Sequence, residues 1–507
     1  MIKRVLVLGG GSAGFLVAIA LRVRLPDLQV TVLRSKELGI IGVGEGTTWT
    51  FPNYIHGRLG LEPGEFHRLA QPSWKLGIRF LNWGPRPFFD YTFRPQYTCR
   101  WENLPKTNGY YCEEDSEYAD VSPSLMSHNK VFLRNQYGGP VIGTDVGYHI
   151  ENQMFVAFLE NFAASRGIEI IDDTVLEVKQ DDAGVAGLVL QSGQIATADL
   201  YVDSSGFASV LLGKTLKEPF VSYKTTLFCD RAVVGGWNRT DEPIKPYTTA
   251  EAMSAGWCWQ IEHENRINRG YVFSTAFLAD DEAEKEFRSN NSKIQSTRFV
   301  PFVPGRYERA WVKNVVGIGN ACGFVEPLEA TSLGVICDES DSLVSSLAEC
   351  HGQPSRSVLN HYNRRNAGKW DNIREFLGVH YKFNTRLNTP FWRACCEKVD
   401  IGRAANLLEY YQENGPGIFH RDTLLDPLSQ FGLEGYWAML IGQRVPYRKA
   451  YVPTEKERAS WRQIQQAFKS KALAAVDIRE ALTSIRAPGF RWPPTLYSTQ
   501  VGPDMSF

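Results

Sequence analysis

The feature that most constrains the fold lies at the amino terminus, where a glycine-rich turn joins two apolar segments. Residues 2–8 (IKRVLVL) predict a buried strand, and GGGSAG at 9–14 leads into FLVAIALRVRL at 15–25, which predicts an apolar helix. LQVTVLRS at 28–35 then predicts a second strand. A strand–helix–strand unit places two parallel strands side by side with the helix packed on them, so the sequence predicts the α/β class.

The glycine spacing in this turn predicts a dinucleotide site. Gly9, Gly11 and Gly14 follow the pattern G-x-G-x-x-G at the junction of strand and helix. These glycines allow a tight turn, close approach of the backbone to a pyrophosphate and close packing of the helix on the strand. The phosphates would meet the free N–H groups where the helix begins, at Ser12 and Ala13.

Later segments are expected to return to the same sheet. FVAFLENFAASRG at 155–167 predicts a helix, and IEIIDDTVLEVKQ at 168–180 predicts the strand that follows it. The stretch from 184 to 206 predicts a small sheet and a return to the main one. AWVKNVVGIGNACGF at 310–324 predicts a strand that runs into a second glycine-containing turn. The nucleotide module is therefore predicted to be split along the chain and to rejoin near residue 320.

Two further stretches have two explanations each. Asp203 and Gly206, in ATADLYVDSSGF, stand where a carboxylate at a strand end would contact a ribityl chain, but a plain strand–turn–strand explains them equally well. Thr331 and Ser332 precede the apolar stretch LGVICDESDSLVSSLAEC and predict hydroxyl N-caps for its helix. The N–H groups at such a helix start form either a site for an anion or a flavin carbonyl, or simply a capped helix end.

The composition excludes several classes of partner. The net charge of −1 over 507 residues shows no basic excess, so we expect no nucleic-acid or membrane partner. The nine cysteines form no CxxC pair, so we expect reduced thiols, no metal site and a cytoplasmic location. No apolar run approaches the roughly 18 to 20 residues of a membrane span.

The stretch SWKLGIRF at 73–80 contains a lysine that needs an explanation. Apolar residues alternate with Lys75, Gly77 and Arg79, which predicts one strand with a single apolar face. The simplest interpretation is that Lys75 solvates the outer face of a half-buried strand.

The motifs taken together resemble those of the flavin-dependent halogenases, the family that includes the tryptophan halogenases. The most specific are the WKLG setting of Lys75, the pattern W-x-W-x-I and the string EPLE-x-T-S. The resemblance spans nearly the whole chain and rests on GGGSAG at 9–14, GIIGVGEGTT at 39–48, WKLGIRFLNWG at 74–84, ADLYVDSSGF at 198–207, LFCDRAV at 227–233, GWCWQI at 256–261, RGYVFS at 269–274 and GNACGFVEPLEATSLG at 319–334.

The resemblance implies a fold and a domain organisation. It implies an FAD-binding, Rossmann-like module of the GR2-type flavin monooxygenase kind, with an added, mostly helical substrate-binding region. We expect residues 1–350 to form the FAD-binding module, with a substrate-side insertion at about 85–150. Residues 351–507, in which nothing resembles a sheet, are expected to form the helical region that covers the substrate pocket.

The resemblance also implies a reaction. FADH2, supplied by a separate flavin reductase, would react with O2 and oxidise chloride or bromide to hypohalous acid. The acid would travel through a tunnel to a small aromatic substrate, most simply an indole or a phenol. The enzyme is expected to be a monomer or a homodimer.

The residues that match the family's motifs acquire expected roles from the resemblance. Lys75 matches the lysine that binds or is halogenated by the oxidant, and Glu329 matches the catalytic glutamate. Trp257 and Trp259 match the wall between flavin and substrate. The backbone amides of Thr331 and Ser332 match the halide site. The cofactor is expected to contact Gly9, Gly11, Ser12, Ala13, Gly14, the loop Gly42, Val43, Gly44 and Glu45, and also Gly319 and Leu328.

Simpler explanations exist for single residues. Glu329 is also explained as a carboxylate favoured at a helix N-terminus, and Trp257 and Trp259 are also explained as core residues on one strand face. The presence of all these residues in one order favours the catalytic interpretation.

The chain departs from the family pattern at three places. Glu262 replaces the proline that usually ends the W-x-W-x-I string, and together with His263 and Glu264 it forms either a general-base set or an exposed turn. Ala330 replaces a serine, and Arg34 stands where an acidic residue usually bonds the ribose. We expect Arg34 to stack near the adenine or to form a salt bridge nearby, rather than to bind NADP.

Two alternative functions follow from these departures. One is an FAD-dependent aromatic hydroxylase, suggested by Glu262 and His263. The other is a flavin-binding protein without catalysis, against which the presence of both Lys75 and Glu329 argues.

Overall fold

Six strands form one sheet around the amino-terminal strand, and we call it the nucleotide sheet. The computed structural model describes residues 1–39, 42, 44–113, 115–494 and 496–497. Five of the six strands are parallel, and only the edge strand named first below is antiparallel. The spatial order is Trp311–Val312, Val315–Gly317, Leu200–Asp203, Arg4–Leu8, Gln29–Arg34 and Glu169–Asp172. The predicted α/β, Rossmann-like architecture is confirmed.

A second sheet has seven strands and carries the two tryptophans of the W-x-W-x-I string. Its pairs are antiparallel except for one, the pair formed by Gly77–Leu81 and Thr248–Met253. The spatial order is Arg298–Pro301, Arg231–Asn238, Arg266–Phe273, Gly256–Glu262, Thr248–Met253, Gly77–Leu81 and Phe88–Thr92.

Three small sheets complete the strands of the described chain. The first, which lies beside the nucleotide sheet, consists of Ile195–Ala196, Gly184–Leu190 and Val175–Asp181. The second consists of Phe220–Ser222, Gly305–Tyr307 and Gly323–Phe324. The third carries Lys75 and consists of Glu45–Gly46, Gly147–Ile150 and Ser73–Lys75.

The single strand predicted over 73–80 is wrong, because two strands meet there in different sheets. Ser73–Lys75 pairs with Gly147–Ile150, whereas Gly77–Leu81 pairs with Thr248–Met253. Between them, Leu76 donates its N–H to the carbonyl of Pro246 at 2.7 Å. Both faces of the segment are therefore covered by protein, and the interpretation of Lys75 as a solvated lysine is wrong.

Two other predicted strands are also divided. Residues 168–180 form one strand in the nucleotide sheet and a second in a small sheet, because the chain turns after Asp172. Residues 310–324 contain a tight hairpin around Lys313, which has a left-handed φ of 54°. Alternation of apolar residues predicts extended chain in both cases, but it does not predict the turn inside it.

The helices follow the sheets along the chain and predominate after residue 350. The α-helices are Ser12–Arg24, Thr50–Pro52, Pro63–Leu69, Val121–Ser127, Asn152–Ser165, Asp280–Asn290, Ser332–Glu349, Arg356–Lys382, Pro390–Lys398, Ala404–Asn414, Arg421–Leu424, Gly432–Gly442, Glu455–Leu473 and Ile478–Arg486. Short 3-10 and π segments are Asn53–Arg58, Asn108–Tyr110, Gly206–Ala208, Val210–Thr215, Gly319–Ala321 and Pro327–Glu329. Within the described part of 351–497 the regular elements are helices, apart from one bridge at Val476.

Two large apolar clusters hold these elements together. One packs the helices Ser12–Arg24 and Asn152–Ser165 on the nucleotide sheet. The other fills the space between the seven-stranded sheet and helices after residue 350, among them Arg356–Lys382. All nine cysteines are free. Among the described residues, no helix has the length and apolarity to cross a bilayer, and no cluster of metal-ligating side chains occurs.

Candidate active site

The glycine turn opens onto a groove of about 520 Å³ at the carboxyl end of the nucleotide sheet. Gly9 has a φ of +127°, and a Cβ there would lie 2.3 Å from the carbonyl oxygen of Ser204. A Cβ at Gly11 would meet open space, so the backbone here is free for a ligand to approach. Among the predicted cofactor residues, the groove is lined by Gly9, Gly11, Ser12, Ala13 and Glu45.

The start of the first helix is suited to an anion. Gly11 occupies the N-cap position of Ser12–Arg24 and offers no side chain to the helix N–H groups. Gly14 packs against the turn instead, since a Cβ there would lie 1.9 Å from the carbonyl oxygen of Gly9. Arg34 lines the groove and makes an ion pair with Glu160. Of the two arrangements expected for Arg34, the nearby salt bridge is therefore the one observed.

A narrower apolar pocket of about 150 Å³ continues from the groove. Glu45, Phe207, Asn320 and Ser332 line both cavities and mark the junction between them. The other walls are mainly apolar and include Ala232, Val234, Trp259, Ile261, Val272, Val300, Phe302, Phe324, Val325, Pro327 and Ala330. A groove that begins at a glycine turn and leads into an apolar pocket fits a dinucleotide with a flat ring system at one end, which is the shape of FAD.

Glu45 stands at the junction as a buried carboxylate. Its Oε1 accepts a hydrogen bond from Asn152 Nδ2 at 2.8 Å, while Oε2 is buried without a partner among the described residues. Burial raises the pKa of Glu45, opposed by the hydrogen bond from Asn152 and by the nearby hydroxyl of Ser332. A buried oxygen without a partner is costly in an empty protein and suits a site that a polar ligand completes.

The loop predicted to cover the flavin is described only in part. Gly42 is exposed, Val43 lies outside the described residues, and Gly44 has a left-handed φ of 72°. A Cβ at Gly44 would lie 2.6 Å from Nε2 of His263, so the loop packs closely on this histidine.

The other two predicted cofactor residues contribute to packing around the cavities. Gly319 donates its N–H to Oε2 of the Glu339 carboxylate at 2.7 Å. Leu328 is buried in the apolar cluster beneath the helices after residue 350.

The chain enters the helix Ser332–Glu349 through a left-handed residue, Ala330, with a φ of 55°. Thr331 is at the N-cap position and is buried, but its side chain makes no capping hydrogen bond. The prediction of a hydroxyl cap at Thr331 is therefore wrong. Ser332 lines both cavities and directs its side chain towards Glu45.

Trp257 and Trp259 lie on the same face of the strand Gly256–Glu262, with ring centroids 6.0 Å apart. Trp259 lines the apolar pocket. Trp257 is held on the far side by Glu326, to whose Oε2 it donates from Nε1 at 2.6 Å. Tyr381 donates to the same oxygen, and burial raises the pKa of Glu326 to about 7. Of the two tryptophans, Trp259 therefore faces the apolar pocket, and both belong to the apolar cluster that includes helices after residue 350.

Lys75 is fully buried, with a side-chain exposure of 0%. Its Nζ has no hydrogen-bond partner among the described residues and lies 5.4 Å from the ring centroid of Phe93. A Cβ at Gly46 would lie 3.1 Å from this Nζ and also 3.1 Å from Oγ1 of Thr248. Burial lowers the pKa of Lys75 to about 7, and the charge of Glu329 acts in the opposite direction.

Glu329 lies within electrostatic range of Lys75 and is 3% exposed. Its Oε1 is 2.6 Å from Nε2 of His380, which is itself 0% exposed. The 3-10 turn Pro327–Glu329 presents the carboxylate, and the helix Arg356–Lys382 presents the histidine. The structure therefore buries an amine and a carboxylate within electrostatic range of each other. Such groups can exchange a proton with a small molecule that reaches them.

The segment that replaces the family's proline is buried rather than exposed. Glu262 is 0% exposed and forms an ion pair with Arg239 at 2.5 Å. Burial lowers the pKa of His263 to about 4, helped by Arg239 and Arg266. The exposed-turn interpretation is wrong for these two residues, and the ion pair also makes Glu262 a poor general base.

The carboxylate of Asp203 is used to hold the turn that follows its strand. Its carboxylate accepts hydrogen bonds from the N–H groups of Ser205, Leu211 and Leu212 at 2.7 to 3.1 Å. Ser205 and Gly206 line the groove beside it. Of the two explanations for this stretch, the strand–turn one accounts for the side chain of Asp203.

His380 is the main site residue that the sequence analysis missed. It is separated from Glu329 by 51 residues and sits in a helix whose pattern predicts only packing. Glu326 and Asn320 lie inside the quoted motif at 319–334 but were given no role, and Thr248 lies outside every quoted motif.

Comparison with known proteins supports one family. The family model for tryptophan halogenase matches residues 4–456. The tryptophan 7-halogenase KtzQ of Kutzneria sp. (strain 744) is 32% identical over 448 residues, which cover 82% of each chain. The crystal structure of MibH, a lathipeptide tryptophan 5-halogenase, superposes with a TM-score of 0.87 at 37% identity, covering 95% of this chain and 93% of that one. BrvH, a flavin-dependent halogenase from Brevundimonas sp. BAL3, has a TM-score of 0.83 at 27% identity, covering 96% and 99%. The chain therefore belongs to the tryptophan halogenase family and is a flavin-dependent halogenase.

Proposed function

We propose that this enzyme halogenates an indole-like aromatic at a site formed by Lys75 and Glu329. The observation that carries the proposal is the burial of both groups within electrostatic range of each other. A buried amine whose pKa is near 7 is partly neutral at physiological pH, and a neutral amine is a nucleophile. An exposed lysine would be an ammonium ion at the same pH.

The groove and the apolar pocket are proposed to hold FAD. The pyrophosphate would meet the backbone at Gly11, Ser12 and Ala13, and the ring system would lie in the apolar pocket against Trp259. Bound as FADH2 from a separate reductase, the cofactor would supply the reduction of O2 that oxidises the halide to hypohalous acid. We propose that the backbone at Thr331 and Ser332 holds the chloride or bromide, since helix N–H groups attract anions.

Each catalytic residue has one proposed task. Lys75 captures hypohalous acid, either by donating a hydrogen bond to it or by accepting its halogen on Nζ. Glu329 polarises the captured oxidant or takes the proton from the ring carbon that is halogenated. Trp257 and Trp259 exclude the organic substrate from the apolar pocket by their bulk.

The substrate is proposed to be an indole, free or within a peptide. KtzQ is named for its action on tryptophan and MibH for a lathipeptide tryptophan, so both kinds of substrate occur among the relatives. The nine free cysteines and the need for a reductase are consistent with a cytoplasmic reaction, which is part of the proposal.

The test is a substrate screen with the purified enzyme, FAD, a flavin reductase, NADH and either bromide or chloride. The screen contains tryptophan, other indoles, phenols and a tryptophan-containing peptide, and products are read by mass spectrometry. We expect an indole to gain one halogen mass, and to gain no oxygen when halide is omitted. A product hydroxylated without halide, or no product from an enzyme that binds FAD, would overturn the proposal.

A further inference from the structure

We propose that His380 is a positioning residue for Glu329, and that the two side chains share one proton which keeps the carboxylate oriented as the base of the halogenation step. This inference rests on the proposed catalytic role of Glu329. It concerns a residue that lies on a different element from both catalytic candidates.

The hydrogen bonds of His380 determine where its protons are. Nδ1 lies 2.9 Å from the backbone carbonyl of Phe376, and a carbonyl can only accept, so Nδ1 carries a proton. Nε2 lies 2.6 Å from Oε1 of Glu329, a contact that needs a proton between the two atoms. The pair is therefore either an imidazolium and a carboxylate, or a neutral ring and a carboxylic acid. Both forms contain one shared proton.

The surroundings hold the ring of His380 in place. The rings of Phe80, Trp83 and Phe376 pack around it, with centroid distances of 5.4, 6.2 and 4.8 Å. The side chain is 0% exposed, so bulk water does not compete for Nε2. Breaking this contact would leave a buried carboxylate without its donor, which is strongly unfavourable.

Two other titratable groups face the pair from neighbouring strands. Lys75 lies on Ser73–Lys75, and its pKa is lowered by burial to about 7. Tyr91 lies on Phe88–Thr92, and burial, then Glu329, raises its pKa well above the usual value. Tyr91 therefore stays neutral in the working range.

The proton balance of the step is simple. Aromatic C–H and hypohalous acid give the aromatic carbon–halogen bond and water. As the carbon–halogen bond forms, the oxygen–halogen bond breaks and its electron pair leaves on oxygen as hydroxide. The C–H bond then breaks and its electron pair restores the aromatic ring. The proton goes to Oε2 of Glu329, while Nε2–H of His380 continues to donate to Oε1. The pair keeps its shared proton throughout, and the acquired proton passes to the hydroxide to give water.

Two substitutions separate this role from simple packing. His380→Gln keeps an N–H donor at about the reach of Nε2 but is uncharged and cannot share a proton with the carboxylate, and His380→Phe removes the donor. With the best substrate from the screen, we expect kcat to fall about 10-fold for Gln and at least about 100-fold for Phe. His361→Gln, the same exchange at an exposed position of the same helix, is expected to retain the wild-type kcat.

The pH profile and a double variant show where in the step His380 acts. Wild-type kcat should rise with pH through about 7 as Lys75 becomes neutral. His380→Gln should keep this rise at a lower kcat, since the rise belongs to Lys75. The double variant with Glu329→Gln should be no slower than Glu329→Gln alone, since His380 acts through Glu329.

A measurement on the resting enzyme distinguishes failure of this inference from failure of the proposed function. The short hydrogen bond between Nε2 of His380 and Oε1 of Glu329 should shift the N–H proton resonance downfield in enzyme that carries 15N-labelled histidine. His380→Gln should lack this resonance. Its absence from the wild type would overturn the inference whatever the activity. An active wild type whose His380→Gln variant keeps the wild-type kcat would do the same. A wild type without halogenase activity that shows the resonance would overturn the proposed function only.

Discussion

At the scale of the residue, burial explains why Lys75 is unusual. Ordinary lysines remain ammonium ions near neutral pH, but the interior lowers the pKa of Lys75 to about 7. The WKLG motif identified the residue, but its burial could not be predicted, since alternation suggested one solvent-exposed face. The break at Leu76 that places Lys75 under a second sheet depends on pairing with residues far along the chain.

Replacement of this lysine should stabilise the fold. Because the folded pKa lies below the unfolded one, the unfolded chain binds more protons between about pH 7 and 10.5, and stability should rise with pH over that window. Lys75→Met should raise the free energy of unfolding at pH 7 by roughly 4 kcal/mol and flatten that dependence. Urea unfolding at several pH values measures both effects.

The control for this prediction is an exposed lysine. Lys179 is exposed to solvent. Lys179→Met should therefore change the free energy of unfolding by less than about 0.5 kcal/mol. A Lys75→Met variant that is less stable than the wild type at pH 7 would show that the amine is favourably solvated or paired.

His380 illustrates what a single sequence cannot supply at this scale. Its partner Glu329 lies 51 residues earlier, and the side chains meet only because a helix and a 3-10 turn pack together. The local pattern around His380 predicts a helix contact and nothing about protonation.

At the scale of the element, the glycine turn was the most predictable part of the molecule. The spacing predicted the strand, the turn and the helix, although the helix begins at Ser12 rather than at Phe15. Helices predicted beyond residue 350 are also confirmed, because their periodic pattern is long. The divided strands were not predicted, since a turn inside an apolar run has no compositional mark.

A matched pair of substitutions tests the glycine turn. Gly9→Ala should destabilise the protein by about 1–3 kcal/mol or more, because φ is +127° and the new Cβ would lie 2.3 Å from the Ser204 carbonyl oxygen. Gly11→Ala should leave the melting temperature nearly unchanged but weaken FAD binding at least about 10-fold, since its Cβ enters open space in the groove. Calorimetry and flavin fluorescence titration measure the two effects.

A separate result would contradict the prediction for each of the two glycines. If Gly11→Ala binds FAD as tightly as the wild type, the pyrophosphate does not lie against this part of the turn. If Gly9→Ala is as stable as the wild type, the turn relaxes more easily than its close contacts indicate.

At the scale of the whole molecule, the proposed function separates two reactions in space. Trp259 lines the apolar pocket, whereas Glu329 contacts His380 on the helix Arg356–Lys382. A small diffusing oxidant is the kind of intermediate that such a separation permits. The family could be inferred from the sequence because its motifs are spread over most of the chain, whereas the shape of the substrate pocket and the identity of the aromatic ring depend on side chains without a common motif.

The most direct test of this separation counts two products in Lys75→Ala and in the wild type. With reductase, bromide and substrate, the variant should still consume NADH and release hypobromous acid to a chemical trap, while brominated substrate falls at least about 100-fold. Brominated substrate formed by Lys75→Ala at the wild-type rate would contradict the account, because the oxidant would then reach the ring without the buried amine.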